Sequence, residues 1–177
     1  MLRKGQFFSV DLVIGGALFL FILLSVYTAY NGFSLHVRNQ ELNNDLFAIG
    51  YYVSSSLIET SGEPYDWETK NYDGGQGGEK VKEDIFSLGL SQNRDGWVLD
   101  QYKINKFVEL NQSYNDVKDV LGVRGPGYEL FVNVSSSGNQ YVFGIAPKNA
   151  ENIVNVDRFG LLNGAEAKIN VKVWQHG

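Results

Sequence analysis

Residues 3–30 read RKGQFFSVDLVIGGALFLFILLSVYTAY. After Asp11, nineteen residues pass before Asn31 brings a side chain that hydrogen-bonds more strongly than a hydroxyl, and most of the nineteen are Leu, Ile, Val, Phe or Ala. Roughly 20 apolar residues, at 1.5 Å of rise each, cross the hydrocarbon of a bilayer, and a helix satisfies its own backbone groups there. The stretch predicts one membrane-spanning helix, with Tyr27 and Tyr30 at interfacial depth.

The flanks give this helix a direction. Arg3, Lys4 and the initiating amine precede it, whereas Arg38 is the one full cation in about a dozen residues after Asn31. The positive-inside rule therefore places the N-terminus in the cytoplasm and the remainder outside, a single-pass topology. An ordinary cleaved secretory peptide is not expected, because Ser25-Val26-Tyr27 stands where a small-x-small site belongs. Instead Lys4-Gly5-Gln6 lies ahead of the apolar run, and Asp11 puts a carboxylate in the first turns of the helix.

That arrangement resembles the archaeal class III signal peptide of the type IV pilin group. The resemblance implies a prepilin peptidase that cuts after Gly5, leaving Gln6 as the new N-terminus of a mature chain that keeps its hydrophobic helix. Asp11 is then open to two roles. A carboxylate in a membrane helix needs a partner, and the amine freed on Gln6 of a neighbouring copy, with a pKa near roughly 8, supplies one; alternatively, Asp11 reaches the headgroup region.

Past the membrane the helical spacing continues. Leu35, Leu42, Leu46, Ile49, Val53 and Leu57 recur at threes and fours, with Arg38, Asn39, Gln40, Asn43 and Asn44 on the other side. One amphipathic helix is expected to continue to about Glu59. Gly15-Gly16, Gly32 and Gly50 each weaken it by about 1 kcal/mol relative to Ala. They are candidate bends, and Gly15-Gly16-Ala17 is open to two readings, a place where another helix could approach closely or ordinary lipid-facing small residues.

From Thr60 to Asp84 the periodicity is lost, and Gly62, Pro64 and the run Asp73–Gly78 read as loop. Acidic residues from Glu63 to Asp84 offer oxygen ligands, but calcium-loop spacing is absent and three lysines are interspersed. The glycine run lacks the strand before it and the Gly-Lys-Ser/Thr after it that a phosphate loop needs. Further on, Ile85–Leu90 predicts a short buried strand or turn, Asp95-Gly96 a turn, and Asp100–Asn111 a helix. Ser113 and Asp116 suggest the cap of a second short helix through Leu121, closed by Gly122. Alternation at Tyr128, Leu130, Val132 and Val134 and at Tyr141, Phe143 and Ile145 predicts two strands with a hairpin loop over Ser135–Asn139. Asn163-Gly164 predicts a hairpin between Ile153–Leu162 and Ala165–Trp174, with Ala167, Ile169, Val171 and Val173 on one face.

The fold class expected is α+β, pilin-like: a long N-terminal helix carrying short helices and a roughly four-stranded antiparallel sheet. The expected divisions are a leader over 1–5, a transmembrane and assembly helix over 6–30, its outer half over 31–59, and an extracellular head over 60–177. The order Gly62–Trp67, Leu88-Gly89-Leu90, Lys103, Tyr114–Gly122, Arg158 and Val173-Trp174 is similar to archaeal secreted pilin-like proteins. In packing terms Trp67 pins the loop, Leu88 and Leu90 fill the core, and Trp174 caps an edge.

Composition excludes more than it assigns. With 15 basic and 20 acidic residues interspersed, nothing points to nucleic acid, and with no cysteine there is neither disulfide nor thiol chemistry. His36 and His176 lie far apart in sequence, and no catalytic or phosphate-binding motif occurs. No enzyme activity, metal or cofactor is expected. Two sequons, Asn111-Gln112-Ser113 and Asn133-Val134-Ser135, are candidates for N-glycosylation on the outer side. The resemblance to archaeal pilins implies a pilin-like subunit or minor pilin of an archaeal type IV pilus-type surface filament, partnered by the membrane, by copies of itself or other pilins, and by the peptidase. The alternative is a membrane-anchored surface domain that does not polymerise and binds a ligand or glycan.

Overall fold

The structure is a computed structural model that describes residues 5–72, 80–93, 96–125, 127–148, 150 and 152–175, without the side chains of residues 5–9 and 39. The expected run Asp73–Gly78, Asp95, His176 and residues 1–4 of the leader lie outside the described residues. Helix α1 is assigned from Gly5 to Glu59, including Gly15, Gly16, Gly32 and Gly50. The chain divides into two compact units, Met1–Leu42 and Asn43–Gly177.

In the first unit α1 is uncovered. Seventeen large apolar side chains between Val10 and Val37 are exposed, Leu35 among them at 63%. The buried stripe starts later than the spacing of leucines suggests, with Leu46, and continues through Val53, Leu57 and Ile58, all fully buried in the second unit. Each such side chain contributes about 1.5–3 kcal/mol through removal from water. Gly50 has a packing role: a Cβ there would lie 3.3 Å from Val156 and 3.7 Å from Val154 and Val173, so the glycine lets α1 lie close on the sheet.

The α1 C-terminus has no terminal glycine. Its last carbonyls are met by loops instead: Leu90 N–H donates to Leu57 O at 2.8 Å, and Trp97 N–H to Ile58 O at 3.2 Å. This satisfies the acceptors a helix end leaves open and fixes the 85–99 stretch to the helix. The described residues of that stretch, 85–93 and 96–99, are irregular, with the short helix α2 (Val81–Asp84) before them and the two-residue strand β1 (Val98–Leu99) at their end. Trp67, in a 3-10 turn Trp67–Thr69, is fully buried and its Nε1 donates to the carbonyls of Ser61 and Gly89, both at 3.2 Å, pinning the loop as expected.

Helices α3 (Gln101–Glu109) and α4 (Tyr114–Val120) are separated by the 3-10 turn Leu110–Ser113. Asp100 caps α3, accepting from the N–H groups of Tyr102 at 2.7 Å and Lys103 at 3.4 Å. Ser113 precedes α4 but makes no side-chain cap bond, contrary to the spacing-based expectation.

The sheet has five strands in the order β1-β4-β5-β2-β3, where β2 is Tyr128–Ser136, β3 Asn139–Gly144, β4 Asn152–Leu162 and β5 Ala165–Gln175. Four strands are antiparallel as expected; β1 pairs parallel to β4 and makes the sheet mixed. Two residues are too few to show a period, which is why the fifth strand was not expected. Asn163 (φ 52°) and Gly164 (φ 80°) form the predicted β4–β5 turn. The β2–β3 turn is tighter than Ser135–Asn139, since Ser135 and Ser136 belong to β2 and only Ser137 and Gly138 turn. Ile145 lies beyond β3 and is exposed.

Alternation decides the core. Leu130, Val132 and Val134 of β2 and Ala167, Ile169, Val171 and Val173 of β5 are buried on the helix side. Trp174 corrects the edge-cap reading: β5 is interior, and Trp174 is fully buried between Glu129 of β2 and Ile153 of β4.

Candidate functional site

Three groups of residues carry functional expectations. The first is the start of α1. Gly5 and Gln6 are its first two residues, so the expected cut falls within its first turn. Asp11 is exposed on the same helix and makes no ion pair or hydrogen bond with any described residue. Around it, the surface from Val10 to Tyr30 is apolar and exposed. Among the described residues α1 is the one helix long and apolar enough to cross a membrane. In water such a surface has no favourable neighbour, and lipid or other apolar helices would give it one.

The second group comprises the sequons. Asn111 is exposed in the 3-10 turn between α3 and α4, and its Oδ1 accepts the Gly144 N–H at 3.0 Å. Asn133 is half-buried in the middle of β2, opposite Val142 of β3 and Asn170 of β5. Its Oδ1 is buried without a hydrogen-bond partner.

The third is a cleft of about 850 Å³ in the head. Glu59, Glu63, Asp66, Glu83 and Asp84 line it, together with Lys70, Tyr65 and Phe86. Tyr65 and Phe86 are each 76% exposed, large apolar surface left facing water. Some of the acids are already engaged: Asp84 Oδ2 accepts the Lys80 N–H at 2.7 Å, and Glu83 Oε1 pairs with Lys80 Nζ at 2.9 Å. Among the described residues no three carboxylates or imidazoles converge on a metal position, and His36 lies 3.1 Å from Gln40 Nε2.

The wall of this cleft depends on a residue whose role the spacing did not disclose. Lys103 is buried, and its Nζ donates to Ser61 O at 2.7 Å and Tyr65 O at 2.9 Å, with Glu68 Oε2 at 3.9 Å. A buried ammonium is tolerated only when satisfied in this way. Lys103 shares the buried face of α3 with Ile104 and Phe107, but the carbonyls that hold it come from the distant loop after α1. A second, half-buried polar cluster joins the start of α4 to β2. Tyr114 Oη donates to Glu129 Oε2 at 2.5 Å and accepts the Leu130 N–H at 2.9 Å. Burial, followed by the Glu129 hydrogen bond, pushes the Tyr114 hydroxyl pKa above its ordinary range. Both clusters tie helices to loops and strands.

Comparison with protein-family models, curated proteins and solved structures finds no match to the chain. The site therefore stands on its own geometry.

Proposed function

We propose that this chain is a pilin-like subunit or minor pilin of an archaeal type IV pilus-type surface filament, cut by a prepilin peptidase after Gly5 and assembled through its N-terminal helix. The observation that carries this reading is the uncovered apolar surface of α1, continuous from Val10 to Tyr30, on a helix whose later residues Leu46, Val53, Leu57 and Ile58 help build a folded head. In the bilayer the uncovered surface faces lipid. In a filament the same surface packs against copies of itself or other pilins, away from water.

Asp11 gives the transition its selectivity. It has no partner among the described residues, and the amine freed on Gln6 of a neighbouring copy supplies the opposite charge. Asp11→Ala is expected to insert normally and to be depleted from sheared filaments at least tenfold. Undiminished incorporation removes the role proposed for Asp11. N-terminal sequencing tests processing: a mature chain starting at Gln6 supports the reading, and an uncut chain found as a monomer in membranes opposes it.

The cleft favours a second reading, an anchored surface domain that does not polymerise and binds a ligand. Carboxylates beside exposed aromatic rings suit a cationic group or a sugar. Such a protein would remain uncut and monomeric while retaining its ligand.

A further inference from the structure

We infer that Asn111 carries an N-linked glycan and that Asn133, in the same Asn-x-Ser pattern, does not. The inference rests on the outward topology proposed for the head.

The two ends of the Asn111 amide have separate duties. A backbone N–H must meet an oxygen, so the 3.0 Å bond from Gly144 assigns Oδ1 to the fold. Nδ2, the atom a glycan needs, makes no hydrogen bond with any described residue. Ser113 completes the triplet, and its hydroxyl makes neither a cap bond to α4 nor a hydrogen bond with any other described residue. The failed cap leaves the hydroxyl available to a transferase, which reads it together with the asparagine.

Asn133 presents the opposite case. Its residue is held between β3 and β5, and pairing with both runs unbroken over Phe131–Ser136. To enter an enzyme cleft, this triplet must leave both neighbours in the interior of the sheet, where opening costs approach the global stability. Asn111 lies in an exposed turn outside the sheet, where opening costs least.

The transfer step balances with a sugar donor on a polyprenyl phosphate. Nδ2 of Asn111 attacks the anomeric carbon, the carbon–oxygen bond to phosphate breaks, and the phosphate leaves with the electron pair. One of the two Nδ2 protons passes to a base of the transferase. The product retains Oδ1, and with it the bond from Gly144.

The test is the intact mass of the protein purified from its native host as wild type and as Asn111→Gln, Asn133→Gln, Ser113→Ala and Ser113→Thr. Glycan mass is expected on the wild type, Asn133→Gln and Ser113→Thr, and complete loss is expected in Asn111→Gln and Ser113→Ala. Ser113→Ala is decisive because it removes the triplet without touching the Gly144 bond, so a loss there is not a folding defect. A bare wild type, a glycan that survives Ser113→Ala, or one lost in Asn133→Gln overturns the assignment. Protease added to intact cells distinguishes the failures: a bare head that is digested sinks the glycan alone, and a protected one sinks the outward topology with it.

Discussion

Asp157, on the outer face of the sheet, shows how a single carboxylate couples this fold to pH. Its oxygens accept from Asn170 Nδ2 at 2.5 Å and pair with Lys168 Nζ at 2.9 Å. The Asn170 hydrogen bond first, and Lys168 second, hold its pKa below the ordinary carboxylate value. A depressed folded pKa means that the stabilisation is present above the unfolded value of about 3.9 and is lost as pH falls through the folded one. Asp157→Asn should therefore melt lower than wild type at pH 7, by a difference worth about 1 kcal/mol or less given the exposure of the pair. The two melting temperatures should converge near pH 2. A gap that persists or widens in acid would assign the effect to packing.

Gly89 carries the corresponding test at the level of an element. The 85–99 stretch caps the end of α1, and a Cβ at Gly89 would lie 2.1 Å from the Thr60 carbonyl oxygen. Gly89→Ala must push the stretch off the helix end, at a cost of about 3 kcal/mol. Thermal melting of the full chain in detergent would show it, and an unchanged melting temperature would mean that the contact is not tight. This element also marks the limit of what the sequence discloses. The β4–β5 hairpin was legible because Asn163-Gly164 and the alternation from Ala167 to Val173 act locally. Trp174 was misplaced because strand order is not written in any one strand: nothing local tells that β5 is flanked on both sides. Leu35 matched the helical period and is nonetheless exposed, since period fixes a face and not what covers it. Lys103 and the Leu90 and Trp97 caps depend on contacts between distant segments, which spacing does not encode.

For the whole molecule, the two units solve different problems. Residues 43–177 bury their own core, whereas residues 10–37 leave theirs uncovered. Gly15 and Gly16 fit that division, because a Cβ at either meets nothing within 4 Å in the single chain, and glycine in a helix costs about 1 kcal/mol that no contact within this chain offsets. Close approach of another helix would offset it. The absence of cysteine makes this directly measurable. Single cysteines placed at Gly16, Leu20 and Leu24 and oxidised in the native envelope should give disulfide-linked dimers of the processed chain, strongest at the positions that face a neighbour. Cross-linking at none of the three, with the protein recovered as an uncut monomer, would contradict assembly through α1.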